Sequence, residues 1–196
     1  MSRHWQFFSF SIGRFQQVFG KATDQEETAL LKILEFEMGA EPDDEIGQLA
    51  RKLMRQGINY QGMPPREAEV VDQILAVAFS QEGLWNELEL EQEMPDGLPH
   101  QAVLDLLKRA SAAKLDMQLL PLLKGGRRWQ ATGPTECHYV LFERAEVPKL
   151  SQEARAAVET PGTWSSLDAP NQIMDGLIMV CEFTARKHRP LAGILV

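Results

Sequence analysis

Histidine and cysteine are the side chains of this chain that could bind a transition metal, and their spacing decides whether they form a site. Cys137 and His138 are adjacent, so on a strand their side chains point to opposite faces and cannot easily share a metal. Cys181 and His188 lie seven residues apart, which on a helix is about 10 Å along the axis. No Cys-x-x-Cys or His-Glu-x-x-His motif occurs. We therefore expect no metal site and assign no cofactor, with a Cys137–Cys181 disulfide left open as the minor alternative to two reduced thiols.

Four glutamates alternate along one short segment: Glu87, Glu89, Glu91 and Glu93. On a strand they would share one face, where carboxylates can bind calcium or magnesium. The segment has neither an aspartate-rich loop nor a glycine at a tight coordinating turn. A charged edge that protects a sheet from mispairing is the favoured interpretation, and the same face could dock a basic partner.

One tract, Lys124 to Trp129, combines glycines, cations and an aromatic side chain. Arg127, Arg128 and Trp129 could hold a phosphate or stack a base, although a hairpin tip with solvated arginines is favoured. A second basic cluster, Arg186 to Arg189, is typical of a helix C-terminus, where cations interact favourably with the helix dipole. Two basic patches on an acidic chain make it bipolar, which suits a protein-docking module.

Candidate nucleophiles are present, but none lies in a recognisable catalytic motif. They are Ser165, Ser166, Cys137 and Cys181. The chain has no Gly-x-Ser-x-Gly elbow and no Gly-x-Gly-x-x-Gly loop. Catalytic groups that gather from distant positions leave no spacing signature, so whether the chain is an enzyme stays open.

Composition is that of a globular protein. The 196 residues fit one domain, 1–196, with a helical subregion over 24–80 and a hairpin-rich subregion over 115–145. A net charge of −8 and a pI near 5.1 repel phosphate backbones and disfavour nucleic acid. The N-terminus lacks a secretory pattern, and the apolar stretch from Ile173 to Phe183 is too short to span a bilayer. We expect a cytoplasmic bacterial protein that does not enter membranes; its oligomeric state is open.

The elements that would position these residues begin and end with strands. An aromatic run opens the chain at Trp5–Ile12, and an apolar run closes it at Pro190–Val196. Chain ends fray unless they are tied down, so we expect both runs to be buried in one sheet. The predicted fold class is α+β, with a mixed or mainly antiparallel sheet that includes both terminal strands and with helices packed chiefly on one face.

Between the two ends, start and stop signals predict most of the helices. Those of the first half are Gly13–Phe19 before Gly20, a helix capped by Thr23 or Asp24 and ended by Gly39, one from Pro42 to Gly57, and one beginning at Pro65. Those of the second half are Pro99–Ala113, a short helix from Ser151 to Val158, and a last helix from Asp168 or Asn171 to about Arg186.

Extended segments are predicted from alternation and from turn residues. Leu84–Leu90 alternates and predicts an edge strand, with a helix as the alternative. Met117–Leu123 contains Pro121 and predicts an extended segment. Gly125-Gly126 predicts a hairpin that returns through Arg127, and Cys137–Phe142 predicts an internal strand.

The two ends carry a family resemblance. Trp164 in an acidic turn, a long helix with an alanine near its end, and a final apolar strand resemble the tail of YfbM-like bacterial proteins. The segment from Phe7 to Met38, an aromatic strand, a short helix ending in glycine and a capped helix, resembles other small bacterial proteins of unknown function. The resemblance implies a compact α+β fold, transfers no functional residue, and points to families some of which are carried beside toxin or contact-inhibition genes.

Two functions of different classes follow. The first is a protein-interaction or regulatory module, for example an immunity-like binder of a basic partner, because the chain is acidic and lacks a catalytic set. The alternative is a small-molecule binder or enzyme whose pocket, between sheet and helices, would be lined by Trp129, Tyr139 and Trp164. Nucleic-acid binding through the arginines ranks third.

Overall fold

The computed structural model describes residues 3–80, 88–92, 97–131, 133–135, 137–160 and 170–196. The chain forms two compact units. A helical unit comprises Phe10–Glu91, and a sheet unit comprises Met1–Ser9 together with Gln92–Val196. The helical subregion predicted over 24–80 lies inside the first of these units.

Four helices of the helical unit lie wholly within the described residues: α1 (Ile12–Lys21), α2 (Asp24–Met38), α3 (Glu45–Gln56) and α4 (Pro65–Ser80). All four follow the predicted signals. Thr23 and Glu26 form a capping box at the start of α2, and Gly39 ends it in the left-handed conformation with φ 64°. Asp44 caps α3 through its side chain, and Gly57 ends that helix. Local signals therefore specify this unit almost completely.

Phe79 packs against two other phenylalanine rings in the helical unit. The ring of Phe79 on α4 lies 5.4 Å from that of Phe10 and 5.7 Å from that of Phe15 on α1, centroid to centroid. All three rings are buried. Aromatic pairs at these separations contribute to stability beyond the burial of their apolar area.

The sheet has five strands, of which β2 begins at the last residue of the helical unit: β1 (His4–Ser9), β2 (Glu91–Gln92), β3 (Leu98–Pro99), β4 (Tyr139–Phe142) and β5 (Leu191–Leu195). The strand order is β2-β1-β5-β4, with β3 also paired to β1. Strand β5 is antiparallel to both β1 and β4. The prediction that both terminal strands belong to one sheet is confirmed, and Trp5 pairs with Leu195 across it.

Three helices pack on one face of this sheet: α5 (His100–Ala112), α6 (Val147–Glu159) and α7 (Pro170–Arg186). From the strands, the shared core takes the alternate residues Trp5, Phe7, Val140, Phe142, Leu191 and Leu195. The indole N–H of Trp5 is satisfied by the carbonyl of Leu123 at 2.9 Å. The α+β class is thus confirmed, and no described helix is long and apolar enough to cross a bilayer.

The extended segment predicted over Met117–Leu123 is wrong, because a 3-10 helix covers Leu120–Lys124. The cause is a side chain distant in sequence. The carboxylate of Glu153 on α6 accepts the backbone N–H groups of Gln118, Leu119 and Leu120 at 2.8–3.0 Å, which fixes the start of the turn.

The hairpin predicted at Gly125-Gly126 is also wrong, since Arg127 forms an isolated parallel bridge with Val140. Gly126 has φ 87°, and a Cβ there would collide with the carbonyl of Cys137. Gly126 therefore serves close backbone approach to Cys137 and Tyr139 rather than a tight two-residue loop. The described part of 115–145 is accordingly not rich in hairpins.

Two further expectations need correction. Helix α6 begins at Val147, so Ser151 is a buried residue inside the helix and not its cap. The edge strand predicted over Leu84–Leu90 fails where it is described, because Glu89 has φ 51° and only Glu91–Gln92 is strand. Its alternation holds nevertheless, as Leu88 and Leu90 are buried around an exposed Glu89. Residues 84–87 lie outside the described part of the chain.

Candidate functional site

The most exposed large apolar side chain of the described chain is Phe36 near the end of α2. Helix α2 turns Leu30, Leu31 and Leu34 into the core of the helical unit. Phe36 lies on the opposite side, and 85% of it is exposed. A lone exposed apolar residue needs no explanation by itself, so the charges around it decide how it is interpreted.

Exposed carboxylates flank this ring. Glu35 and Glu37 lie on either side of it in the last turn of α2, and Glu41 follows the Gly39 cap. None of these three forms an ion pair with a described residue. We call Glu35, Phe36, Glu37 and Glu41 the acidic tip.

Two acidic side chains of the helical unit, Glu26 and Glu27, are neutralised by arginines. Glu26 is paired with Arg14 at 2.9 Å. Glu27 is paired with Arg51 at 3.2 Å and with Arg55 at 2.9 Å. The carboxylates of the tip differ from Glu26 and Glu27 in forming no ion pair with a described residue, although the exposed Lys32 lies one turn earlier on α2.

The charge of the whole chain is concentrated in the helical unit. The segment Phe10–Glu91 carries 16 Asp/Glu and 7 Lys/Arg, a net charge of −9, whereas the rest of the chain carries 12 and 13, a net charge of +1. The acidic tip thus belongs to the unit that holds all of the excess negative charge.

The acidic face predicted from sequence is described only in part. Glu89 and Glu91 are exposed, and each takes part in an interaction of its own. Glu87 and Glu93 lie outside the described residues.

The second predicted region, around Trp129, forms a small cavity in the sheet unit. Its volume is about 270 Å³, and it is lined by Arg127, Trp129, Gln130, Ala131, Leu141, Glu143 and Glu146. Arg127 and Trp129 both line this cavity. Tyr139 does not line it, but its hydroxyl accepts a hydrogen bond from the backbone N–H of Trp129 at 3.1 Å. Trp164, the third predicted pocket residue, lies outside the described residues.

Arg127 links two walls of this cavity through hydrogen bonds. Its guanidinium donates to both carboxylate oxygens of Glu146, at 2.7 and 2.6 Å, and to the carbonyl of Leu141 at 2.5 Å. The side chain is 9% exposed and lies 5.8 Å from the centroid of the Phe142 ring. Its donors are directed into the protein, so Arg127 is not a solvated surface cation. Arg128 next to it is half-buried, and its backbone N–H donates to Thr135 at 2.7 Å.

Glu146 is the titratable partner in this pair. Burial opposes its charged form, but hydrogen bonds from Arg127 and from the backbone N–H of Glu143, with the charges of Arg127 and Lys149, outweigh burial and hold its pKa below 4.5. Glu146 is therefore charged at neutral pH, and the Arg127–Glu146 pair connects the start of α6 to strand β4.

Cations also gather where α7 ends, as the basic run predicts. The ammonium of Lys187 lies 3.9 Å from the centroid of the Phe183 ring. Arg144 donates to Nδ1 of His188 at 3.1 Å. Arg186 is exposed, and the nearby Met179 leaves 65% of its side chain in solvent.

The thiols and histidines gather into no site. Cys137 and Cys181 are both buried, and neither is in a disulfide. Within the described ranges no three His, Cys, Asp or Glu side chains are arranged to hold a metal ion. Ser165 and Ser166 lie outside those ranges.

Sequence reasoning missed Phe36, although a signal was present. The inward stripe of α2 accounts for Leu30, Leu31 and Leu34 and leaves Phe36 between two glutamates. An aromatic residue on the polar side of an amphipathic helix is the pattern to look for.

Comparison with known proteins gives no match to a family model, a curated protein or a solved structure. The YfbM-like resemblance therefore stays a prediction.

Proposed function

We propose that the protein is an interaction module that binds a basic partner protein through its acidic tip. The observation that carries the proposal is Phe36, 85% exposed and flanked by carboxylates that form no ion pair with a described residue. A basic surface with an apolar recess would complement both features. Burying the phenyl ring would contribute about 2 kcal/mol, while the charges would raise the association rate and select the partner.

The position of these carboxylates supports a functional role. Glu35 and Glu37 occupy the last turn of α2, which contains no basic residue. Negative charge is unfavourable there because the C-terminal end of a helix carries partial negative charge. A sequence selected for stability alone would favour lysine or arginine at these positions. A partner whose cations neutralise the tip would relieve this repulsion on binding.

The experiment compares capture by matched variants of the tagged protein from lysate of its own host at low salt. The wild type is compared with Phe36→Ser, with Glu37→Lys, and with Asp116→Lys as control. Asp116 is an exposed carboxylate of the sheet unit, so its reversal makes the same change in net charge outside the helical unit.

We expect one stoichiometric protein of basic pI that the wild type and Asp116→Lys retain, that both tip variants lose, and that elutes as salt rises. An immunity-like binder of a basic toxin would give this result. Capture that is equal for all four proteins, or no basic protein at all, would refute the proposal.

The small-molecule alternative has weaker support at the residues predicted for it. The cavity beside Trp129 is about 270 Å³, just below the usual range for ligand pockets. Arg127, the cationic side chain that lines this cavity, already donates hydrogen bonds to both carboxylate oxygens of Glu146.

A further inference from the structure

A separate cavity of about 320 Å³ lies in the helical unit, between α3, α4 and the loop that joins them. This volume falls at the small end of the range for ligand pockets. Its polar side chains are Lys52, Gln56, Asn59, Gln61 and Glu67. Its apolar side chains are Leu49, Leu53 and Met63, with Pro64 at the rim.

The loop that closes this cavity is held in place by its own hydrogen bonds. The Asn59 side chain accepts the backbone N–H of Gln61 at 2.9 Å. The hydroxyl of Tyr60 donates to Asp72 on α4 at 2.8 Å, and the N–H of Met63 donates to the Tyr60 carbonyl at 3.2 Å. Glycines with φ 87° and 74°, Gly57 and Gly62, make the two bends. A preformed wall lowers the ordering cost of binding a small ligand.

One positive and one negative group meet in the wall of this cavity. The ammonium of Lys52 on α3 lies 3.3 Å from the carboxylate of Glu67 on α4. Both side chains keep access to solvent, at 56% and 31% exposure. A pair this exposed contributes little to stability, so its charges remain open to exchange with a ligand.

We propose that this cavity binds a free α-amino acid as its zwitterion. The ammonium and carboxylate of an α-amino acid are attached to one carbon, so they are about as far apart as the charges of the Lys52–Glu67 pair. When the amino acid lies beside the Lys52–Glu67 pair, its carboxylate contacts the ammonium of Lys52 and its ammonium contacts the carboxylate of Glu67. The four charges then alternate in sign. The ligand side chain then extends toward Leu49 and Leu53, with the amide of Gln56 within the same wall.

The site is independent of the acidic tip. It uses α3, α4 and their loop, whereas the tip lies at the end of α2. Failure of either proposal leaves the other untouched, because the two are tested with different ligands and different variants.

The test is an NMR titration of the ¹⁵N-labelled protein with each of the twenty common L-amino acids. Glycine amides resonate in a separate region of the spectrum, so Gly57 and Gly62 report directly on the cavity wall. We expect at least one amino acid to shift both signals with a Kd below about 1 mM. Lys52→Met and Glu67→Gln should each weaken binding at least tenfold. Arg66→Ala should leave it unchanged, because Arg66 belongs to the neighbouring Glu45 pair and does not line the cavity.

A second measurement needs no variant. The N-acetyl derivative and the methyl ester of the best ligand each lack one charge of the zwitterion, and both should bind at least tenfold more weakly to the wild type. The proposal is overturned if none of the twenty amino acids shifts Gly57 and Gly62, if the derivatives bind as well as the parent, or if binding survives both cavity variants.

Discussion

At the scale of single residues, the strongest constraint is the ion pair of Arg127 and Glu146. Glu146→Gln leaves a guanidinium that is 9% exposed without its counter-charge, and we expect the free energy of unfolding to fall by about 3 kcal/mol. Urea denaturation measures this loss. The double variant Arg127→Met with Glu146→Leu should recover part of it, because two apolar side chains carry no desolvation cost, although the Leu141 carbonyl and the Glu143 N–H lose their side-chain partners. A double variant as unstable as the single one would show that packing, not charge, explains the loss.

The same pair makes stability depend on pH. The pKa of Glu146 is lowered from 4.5 in the folded protein, so its contribution is complete above about pH 4.5 and is lost as the pH falls through the folded value. Glu26 acts in the same direction, since its own pKa is also lowered. Glu146→Gln should therefore reduce, without abolishing, the loss of stability between pH 5 and acid. An unchanged slope in pH-dependent unfolding would contradict the assignment.

Cys181 should be chemically inert while the protein is folded. Burial, with a smaller effect from Glu182, raises its pKa to about 12, and the thiolate is the reactive species. Titration with a chromogenic disulfide at pH 8 should label neither cysteine of the native protein within minutes, and should label both in denaturant. Rapid labelling of Cys181, identified by peptide mapping, would show that α7 opens locally.

At the scale of elements, Glu153 joins α6 to the 3-10 helix at Leu120–Lys124. Its carboxylate is the acceptor for three backbone N–H groups, and Glu153→Ala removes that acceptor. We expect a loss of about 2 kcal/mol and faster amide exchange at Leu119 and Leu120. Glu159→Ala, near the end of the same helix, is the matched control and should cost far less. Equal losses would place the effect in α6 itself.

The Glu153 contact also explains which elements could be predicted. The helices of the first half are specified by caps that lie beside them in sequence, such as Thr23 with Glu26 and Gly39. The turn at Leu120 depends on an acceptor 33 residues away, and the position of Gly126 depends on the carbonyl of Cys137. Local patterns predict local structure, whereas these two segments are shaped by backbone groups that only the folded chain brings near.

At the scale of the whole molecule, the sequence predicts the sign of the net charge but not where on the protein the charge lies. A chain charge of −8 predicts an acidic surface, and the alternating glutamates pointed to Glu87–Glu93. The unit boundaries assign a charge of −9 to the segment Phe10–Glu91, and the carboxylates beside the exposed Phe36 lie at the end of α2. Which glutamates are neutralised depends on pairs such as Glu27 with Arg55, 28 residues apart in sequence, and no spacing rule gives such pairs.

This distribution gives a prediction that separates stability from binding. Glu35→Lys with Glu37→Lys places cations at the C-terminal end of α2, and we expect the protein to become about 1 kcal/mol more stable while losing its basic partner. Urea unfolding should show a higher midpoint at an unchanged slope. Asp24→Lys is the control, since it makes the same charge change per residue at the opposite end of the helix. If helix polarity is the cause, Asp24→Lys destabilises the protein. If relief of net charge is the cause, Asp24→Lys stabilises the protein as well. That result would contradict the inference that the glutamates of the tip destabilise α2 through their position at its C-terminal end.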